Sequence, residues 1–122
     1  MSRTSIILAL SLALISCGNK NSVPSGILKP ARMQEVLWDI ILADAFTTQH
    51  TRSTAPSIAE AENAKLQKQV FAIHDITRED FYKSFDYYKE HTNLMKPLLD
   101  SIINKAEREK NKNVIINPAL TK

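Results

Sequence analysis

Cys17 is the strongest nucleophile in this chain, because at neutral pH a cysteine supplies some thiolate and other common side chains supply no comparable anion. It is the sole cysteine of 122 residues, so the chain has neither a disulfide framework nor a cysteine-rich zinc site. Three histidines, His50, His74 and His91, are the next candidates, as metal ligands. They fall at the ends of three different segments, with no pair spaced to share one helical face and no thiolate to join them, so they read as solvated or capping residues and no metal is expected. The carboxylate pairs Glu60/Glu62 and Glu107/Glu109 point to different sides of a helix and read as solvated surface. Acid–base catalysis needs groups that converge in a cleft, and no Gly-x-Ser-x-Gly or His-Glu-x-x-His pattern occurs. With only Gly18 and Gly26 as glycines, a phosphate-cradling loop is also excluded. The residues therefore point away from an enzyme and imply no cofactor.

What surrounds Cys17 gives its thiol a use. Arg3 precedes an unbroken run of apolar and small residues from Ile6 to Ile15, and Ser16 follows. A basic start, a short apolar core and a small residue at its end make a secretory signal. The run is half the roughly 20 apolar residues that a membrane-spanning helix needs. Leu14-Ile15-Ser16-Cys17 resembles the lipobox of bacterial lipoproteins. That resemblance implies diacylglyceryl transfer to the thiol as a thioether, cleavage ahead of the cysteine, and acylation of the new amine. One acyl chain binds a membrane marginally and two or more hold stably. The expectation is a signal over residues 1–16, lipid on Cys17, and a chain anchored to the cell envelope without spanning its membrane.

Residues 17–28 contain Gly18-Asn19-Lys20-Asn21-Ser22 and Val23-Pro24-Ser25-Gly26, and read as a flexible tether. The absence of acidic residues soon after Cys17 favours the periplasmic side of the outer membrane. Loss of Arg3 with the signal lowers the formal net charge from +3 to about +2, with no concentrated basic patch, so nucleic acid is an improbable partner.

Beyond Gly26 the chain has no glycine, which favours helices over hairpins. Pro30 suits a helix start, and Met33, Val36, Leu37, Ile40 and Ala43 recur at helical spacing, with Trp38, Leu42, Ala45 and Phe46 on the other side. A helix so apolar over residues 31–49 is the expected hub. A second is expected over 58–74, opened by a Ser57–Glu60 capping box and striped by Ala59, Leu66, Val70 and Ile73. A third, over 78–91, is capped by Thr77 with Asp80 and presents Phe81, Ser84, Phe85 and Tyr88. A fourth, over 94–112, is capped by Asn93 and turns Met95, Leu98, Leu99, Ile102 and Ala106 inward. Short connections make consecutive helices antiparallel. The fold class is therefore all-α, a small antiparallel bundle of about four helices over residues 29–112, monomeric, with residues 113–122 as a tail.

Asp44 lies within the apolar stripe of the first helix, where a carboxylate must be hydrogen-bonded or paired. It reads as a polar lock between helices, with Tyr88 the first candidate donor, or as a binding residue. Trp38, Phe71 and Tyr87 stand off the main stripes. They either pack under loops and the tail or anchor a partner, a role that exposed Trp and Tyr often serve.

The segment Met33-Gln34-Glu35-Val36-Leu37-Trp38-Asp39-Ile40-Ile41-Leu42-Ala43-Asp44-Ala45 is similar to the first helix of the domain of unknown function 4296 family. Ile76-Thr77-Arg78-Glu79-Asp80-Phe81-Tyr82-Lys83-Ser84-Phe85-Asp86-Tyr87-Tyr88, with Leu94 to Ile103, resembles that family's second half. The usual Asn-Pro after the tyrosine pair is replaced here by His91-Thr92-Asn93. The resemblance implies a small helical lipoprotein of the Bacteroidota and carries over no activity, substrate or catalytic residue. The functional expectation is a lipid-anchored helical module that binds or scaffolds an envelope protein. The alternative is a periplasmic chaperone-like domain that holds a small ligand or peptide.

Overall fold

The computed structural model describes residues 22–52 and 55–116, with side chains described as far as residue 112. Cys17 and the signal lie outside the described residues. Four helices account for the fold: α1 Pro30–His50, α2 Pro56–Ile73, α3 Arg78–Glu90 and α4 Thr92–Ile116. No strand occurs among the described residues, and the class is all-α.

Prolines open α1 and α2 at their first positions, where a missing N–H leaves nothing unsatisfied. Pro56 also moves the start of α2 ahead of the expected one. Ala55 is its N-cap with no side-chain cap, so Ser57 lies inside the helix and the Ser57–Glu60 box does not form. The Thr77–Asp80 box forms in full. Thr77 Oγ1 accepts from the Asp80 N–H at 3.0 Å, and Asp80 Oδ2 accepts from the Thr77 N–H at 3.1 Å. A single residue, His91, separates α3 from α4, which places Asn93 within the first turn of α4 instead of at its cap. α4 also continues through Val114-Ile115-Ile116, so the tail begins later than expected.

α1 is the hub and packs against each of the other three helices. Its stripe of Met33, Val36, Leu37, Ile40 and Ala43 is buried throughout, and each large side chain contributes roughly 1.5–3 kcal/mol by leaving water. Arg32 and Asp39 meet His74, past the end of α2, while Asp44 meets Asn63 and Gln67 earlier in α2, so α1 and α2 are antiparallel. Pro30, Ala31 and Gln34 lie beside Asn93, Leu94 and Pro97, whereas Trp38 meets Lys105. α1 and α4 thus advance in the same direction. Along α4, Leu94, Leu98 and Ile102 are buried and Met95 packs partly, while Leu99 and Ala106, expected inward, are exposed.

α3 grips the chain ahead of α1. Ser84 and Tyr88, one turn apart and fully buried, hold the two backbone groups of Leu28. The Leu28 N–H donates to Ser84 Oγ at 2.9 Å, and the Tyr88 hydroxyl donates to the Leu28 carbonyl at 2.9 Å. Ser84 Oγ donates in turn to the Asp80 carbonyl at 2.7 Å. Pro24 to Ile27 form a turn closed at 3.2 Å, with Gly26 at φ 83°, a conformation that favours glycine. Val23, Ile27 and Leu28 pack against the core. The folded unit therefore begins near Val23, and the end of the expected tether is part of it.

Candidate functional site

Among the described residues a groove of about 780 Å³ lies between α2 and the start of α3. The chain reversal over residues 74–80 creates it. His74 caps α2 at its C-terminus and Asp75 takes the left-handed conformation at φ 49°. The Asp75 N–H donates to the Ala72 carbonyl at 3.2 Å, and the Ile76 N–H donates to the Phe71 carbonyl at 3.1 Å. This is a Schellman ending, with aspartate where glycine is usual. The Thr77–Asp80 box then starts α3 at once. The two caps reverse the chain within a few residues and bring Arg78 and Tyr82 across from Ala64, Lys68 and Phe71.

Apolar surface from Phe71, Ala72 and Ile76 forms the inner part of the groove, with Glu60, Lys68 and Arg78 as its charged groups. The Arg78 guanidinium stands 5.0 Å above the Tyr82 ring, a cation–π contact. Among the described residues neither Lys68 nor Arg78 pairs with a carboxylate. The amides of the groove are engaged within the protein. Asn63 Nδ2 donates to Asp44 Oδ1 at 2.6 Å, and Gln67 Nε2 donates to Asn63 Oδ1 at 2.7 Å and to Asp44 Oδ1 at 3.3 Å. The Tyr82 hydroxyl reaches Gln67 Oε1 at 3.5 Å. At the edge, the Thr77 hydroxyl and then the Thr77 N–H hold the Asp80 carboxyl below the usual carboxylate range, with Lys83 adding to the effect.

These contacts correct the sequence reading of Asp44. It is exposed and does not meet Tyr88. It joins α1 to α2 through two amides, and a tyrosine of α3 enters that network only through Gln67. The physical reason is position: Asp44 sits at the edge of the α1 stripe, where α2 supplies amide donors and water reaches the carboxylate.

The three aromatic candidates separate. Phe71 is 6% exposed and packs 5.5 Å from Phe81, so it belongs to the core and forms part of the groove's inner surface. Trp38 is half-buried, with the Lys105 ammonium 4.7 Å above its ring. Tyr87 is half-buried and stacked on His91 at 3.9 Å. They do not share a surface with one another as a single site. Exposed apolar side chains include Leu42 and Phe46, one turn apart on α1 beyond Trp38, and also Ile58, Ile73 and Ile103 on the other helices.

His74 also departs from expectation. It is buried, its Nε2 lies 2.7 Å from Asp39 Oδ2, and its carbonyl accepts from the Arg32 guanidinium. The helix end is thereby fastened to α1. His50 and His91 each place Nδ1 on the carbonyl four residues earlier, at 2.9 Å and 2.7 Å. No group of three or more His, Cys, Asp or Glu side chains gathers as a metal site among the described residues. The groove was missed at the sequence level because its cations, Lys68 and Arg78, lie ten positions apart and line one groove only through the turn at Asp75.

No curated protein and no solved structure matches the chain. The family model described as Domain of unknown function (DUF4296) matches residues 24–112, which take in Pro24–Leu28 of the packed segment and all but the end of α4. This chain belongs to the DUF4296 family.

Proposed function

We propose that the protein is a lipid-anchored helical interaction module of the bacterial cell envelope, held by acyl chains on Cys17 on the periplasmic side of the outer membrane. It binds or scaffolds an envelope protein and performs no catalysis. The observation that carries this reading is the placement of the chain's one cysteine directly after the apolar run Ile6–Ile15 and Ser16. Two features support it. The apolar run Ile6–Ile15 is half the length that a membrane-spanning helix needs, so in this reading attachment falls to lipid. The helical unit also carries exposed apolar side chains at Leu42 and Phe46 of the kind that anchor partners.

Metabolic acyl labelling tests the anchor. Cys17→Ser has no thiol to form the thioether, so it should lose the label and the processed form. Persistent labelling of Cys17→Ser would refute the proposal. Affinity capture of the lipidated protein from solubilised envelopes tests the module and should return one envelope protein in reproducible yield. Protease treatment of intact cells tests the side of the membrane, since rapid loss would mean surface exposure. The groove of about 780 Å³ supports a second reading, a domain that holds a small ligand or peptide, because its volume falls within the range of ligand sites.

A further inference from the structure

The groove between α2 and the start of α3 has charged groups of opposite sign at separate places along it. Glu60 and Lys68 lie eight residues apart on α2, about 12 Å at a rise of 1.5 Å per residue. Arg78, from α3, adds a second cation. Between Glu60 and Lys68 lie Asn63, Ala64 and Gln67, and Phe71, Ala72 and Ile76 follow beyond Lys68, on the side of Arg78. Gln67 gives its donors to Asp44 and Asn63, and Asn63 gives one to Asp44, so the charged residues are the strongest polar groups left to meet a ligand. An extended peptide advances about 3.3 Å per residue and covers 12 Å in about four residues.

We propose that this groove takes a short extended apolar peptide that ends in a free carboxylate, with the carboxylate at Lys68 and Arg78 and a basic group about four residues upstream at Glu60. The apolar side chain beside the peptide's carboxylate covers Ala72 and Ile76, whose burial gives affinity without sequence detail. The two ends fix its direction, because a reversed peptide would set its carboxylate against Glu60 and its cation against Lys68 and Arg78. This inference rests on the binding-module reading and names the chemistry of what is bound. Acyl labelling of Cys17 and partner capture test that reading without using the peptide, so failure of the groove proposal can be told from failure of the reading it rests on.

The test is fluorescence anisotropy with the full chain in mild detergent and the peptide Lys-Ala-Leu-Ala-Leu, dye-labelled on its α-amine. Saturable binding is expected, and amidation of the C-terminus should weaken it by about tenfold or more, as loss of a charge-assisted hydrogen bond does. Arg78→Gln should weaken the free-acid peptide by a similar factor and leave the amide unchanged. Glu60→Gln should weaken only a peptide that carries the lysine. Arg78 and Glu60 are exposed, and the melting temperature of each variant should stay at the wild-type value. Equal affinity for acid and amide would overturn the proposal, as would no binding up to roughly 1 mM. Displacement of the peptide by dodecanoate at equal concentration would also overturn it, in favour of a lipid carboxylate.

Discussion

Asp75 is in the left-handed conformation at φ 49° because the Schellman ending of α2 requires it there. L-residues reach this region at a cost of roughly 1–2 kcal/mol, less for aspartate than for most. Asp75→Gly should therefore stabilise the domain by about 0.5–1 kcal/mol, after allowance for the greater freedom of glycine in the unfolded chain. A chemical denaturation midpoint checks this, and a lower midpoint would show that the Asp75 side chain supports the turn. Tyr88 offers the opposite case. Its phenol is fully buried on the Leu28 carbonyl, and burial first, then Tyr87, raises its pKa above the usual 10.0. A raised folded pKa adds stability that is present below the unfolded value and lost as pH rises through the folded one. Tyr88→Phe leaves the carbonyl without its donor and should cost about 1–3 kcal/mol at neutral pH. It should also lessen the alkaline loss above about pH 10. Denaturation at pH 7 and pH 11 measures both. At this scale the sequence marks Tyr88 and Asp44 as notable polar residues but pairs them wrongly, because their true partners are a backbone carbonyl 60 residues away and two amides on α2.

The helices differ in how much of them the sequence declares. In α1 the main stripe of Met33, Val36, Leu37, Ile40 and Ala43 is buried as expected. Leu42, Ala45 and Phe46 on the other side are exposed, because no described helix covers them. α2 is read less well: Val70 is buried as expected, but Phe71 is buried in place of Ile73, which is 77% exposed. Its polar residues are spread around the helix, and the turn at Asp75, which no residue type announces, decides which side of the last turn meets the core. The cap of α3 is fully legible, because Thr77 and Asp80 have the spacing and chemistry of a capping box. Asp80's carboxyl is held below 3.8 in the folded state. Its contribution is therefore present above the unfolded value and lost as pH falls through the folded one. Asp80→Asn should flatten the acid side of the melting-temperature curve below about pH 4. An unchanged acid slope would mean that the box does not hold in solution.

Across the described residues, α1 collects the other helices and α3 fastens the segment ahead of it, so the folded unit begins near Val23. Phe71 and Trp38 test this packing together. Phe71→Ala removes a core ring and should cost about 3–5 kcal/mol. Trp38→Ala should cost less, because its ring is half-buried and capped by Lys105. Equal losses in a denaturant series would mean that α4 covers Trp38 more fully than the structure shows. The helical architecture is legible from the absence of glycine after Gly26 and from the α1 period. The groove is not, since it depends on one backbone turn. The account's central claim is that this helical unit is tied to a membrane by lipid on Cys17. Intact-mass spectrometry of the protein purified from its native envelope tests it most directly. The account predicts a chain that begins at Cys17 and carries the added mass of a diacylglyceryl group and an N-acyl chain. A chain that retains a free Cys17 thiol would contradict it.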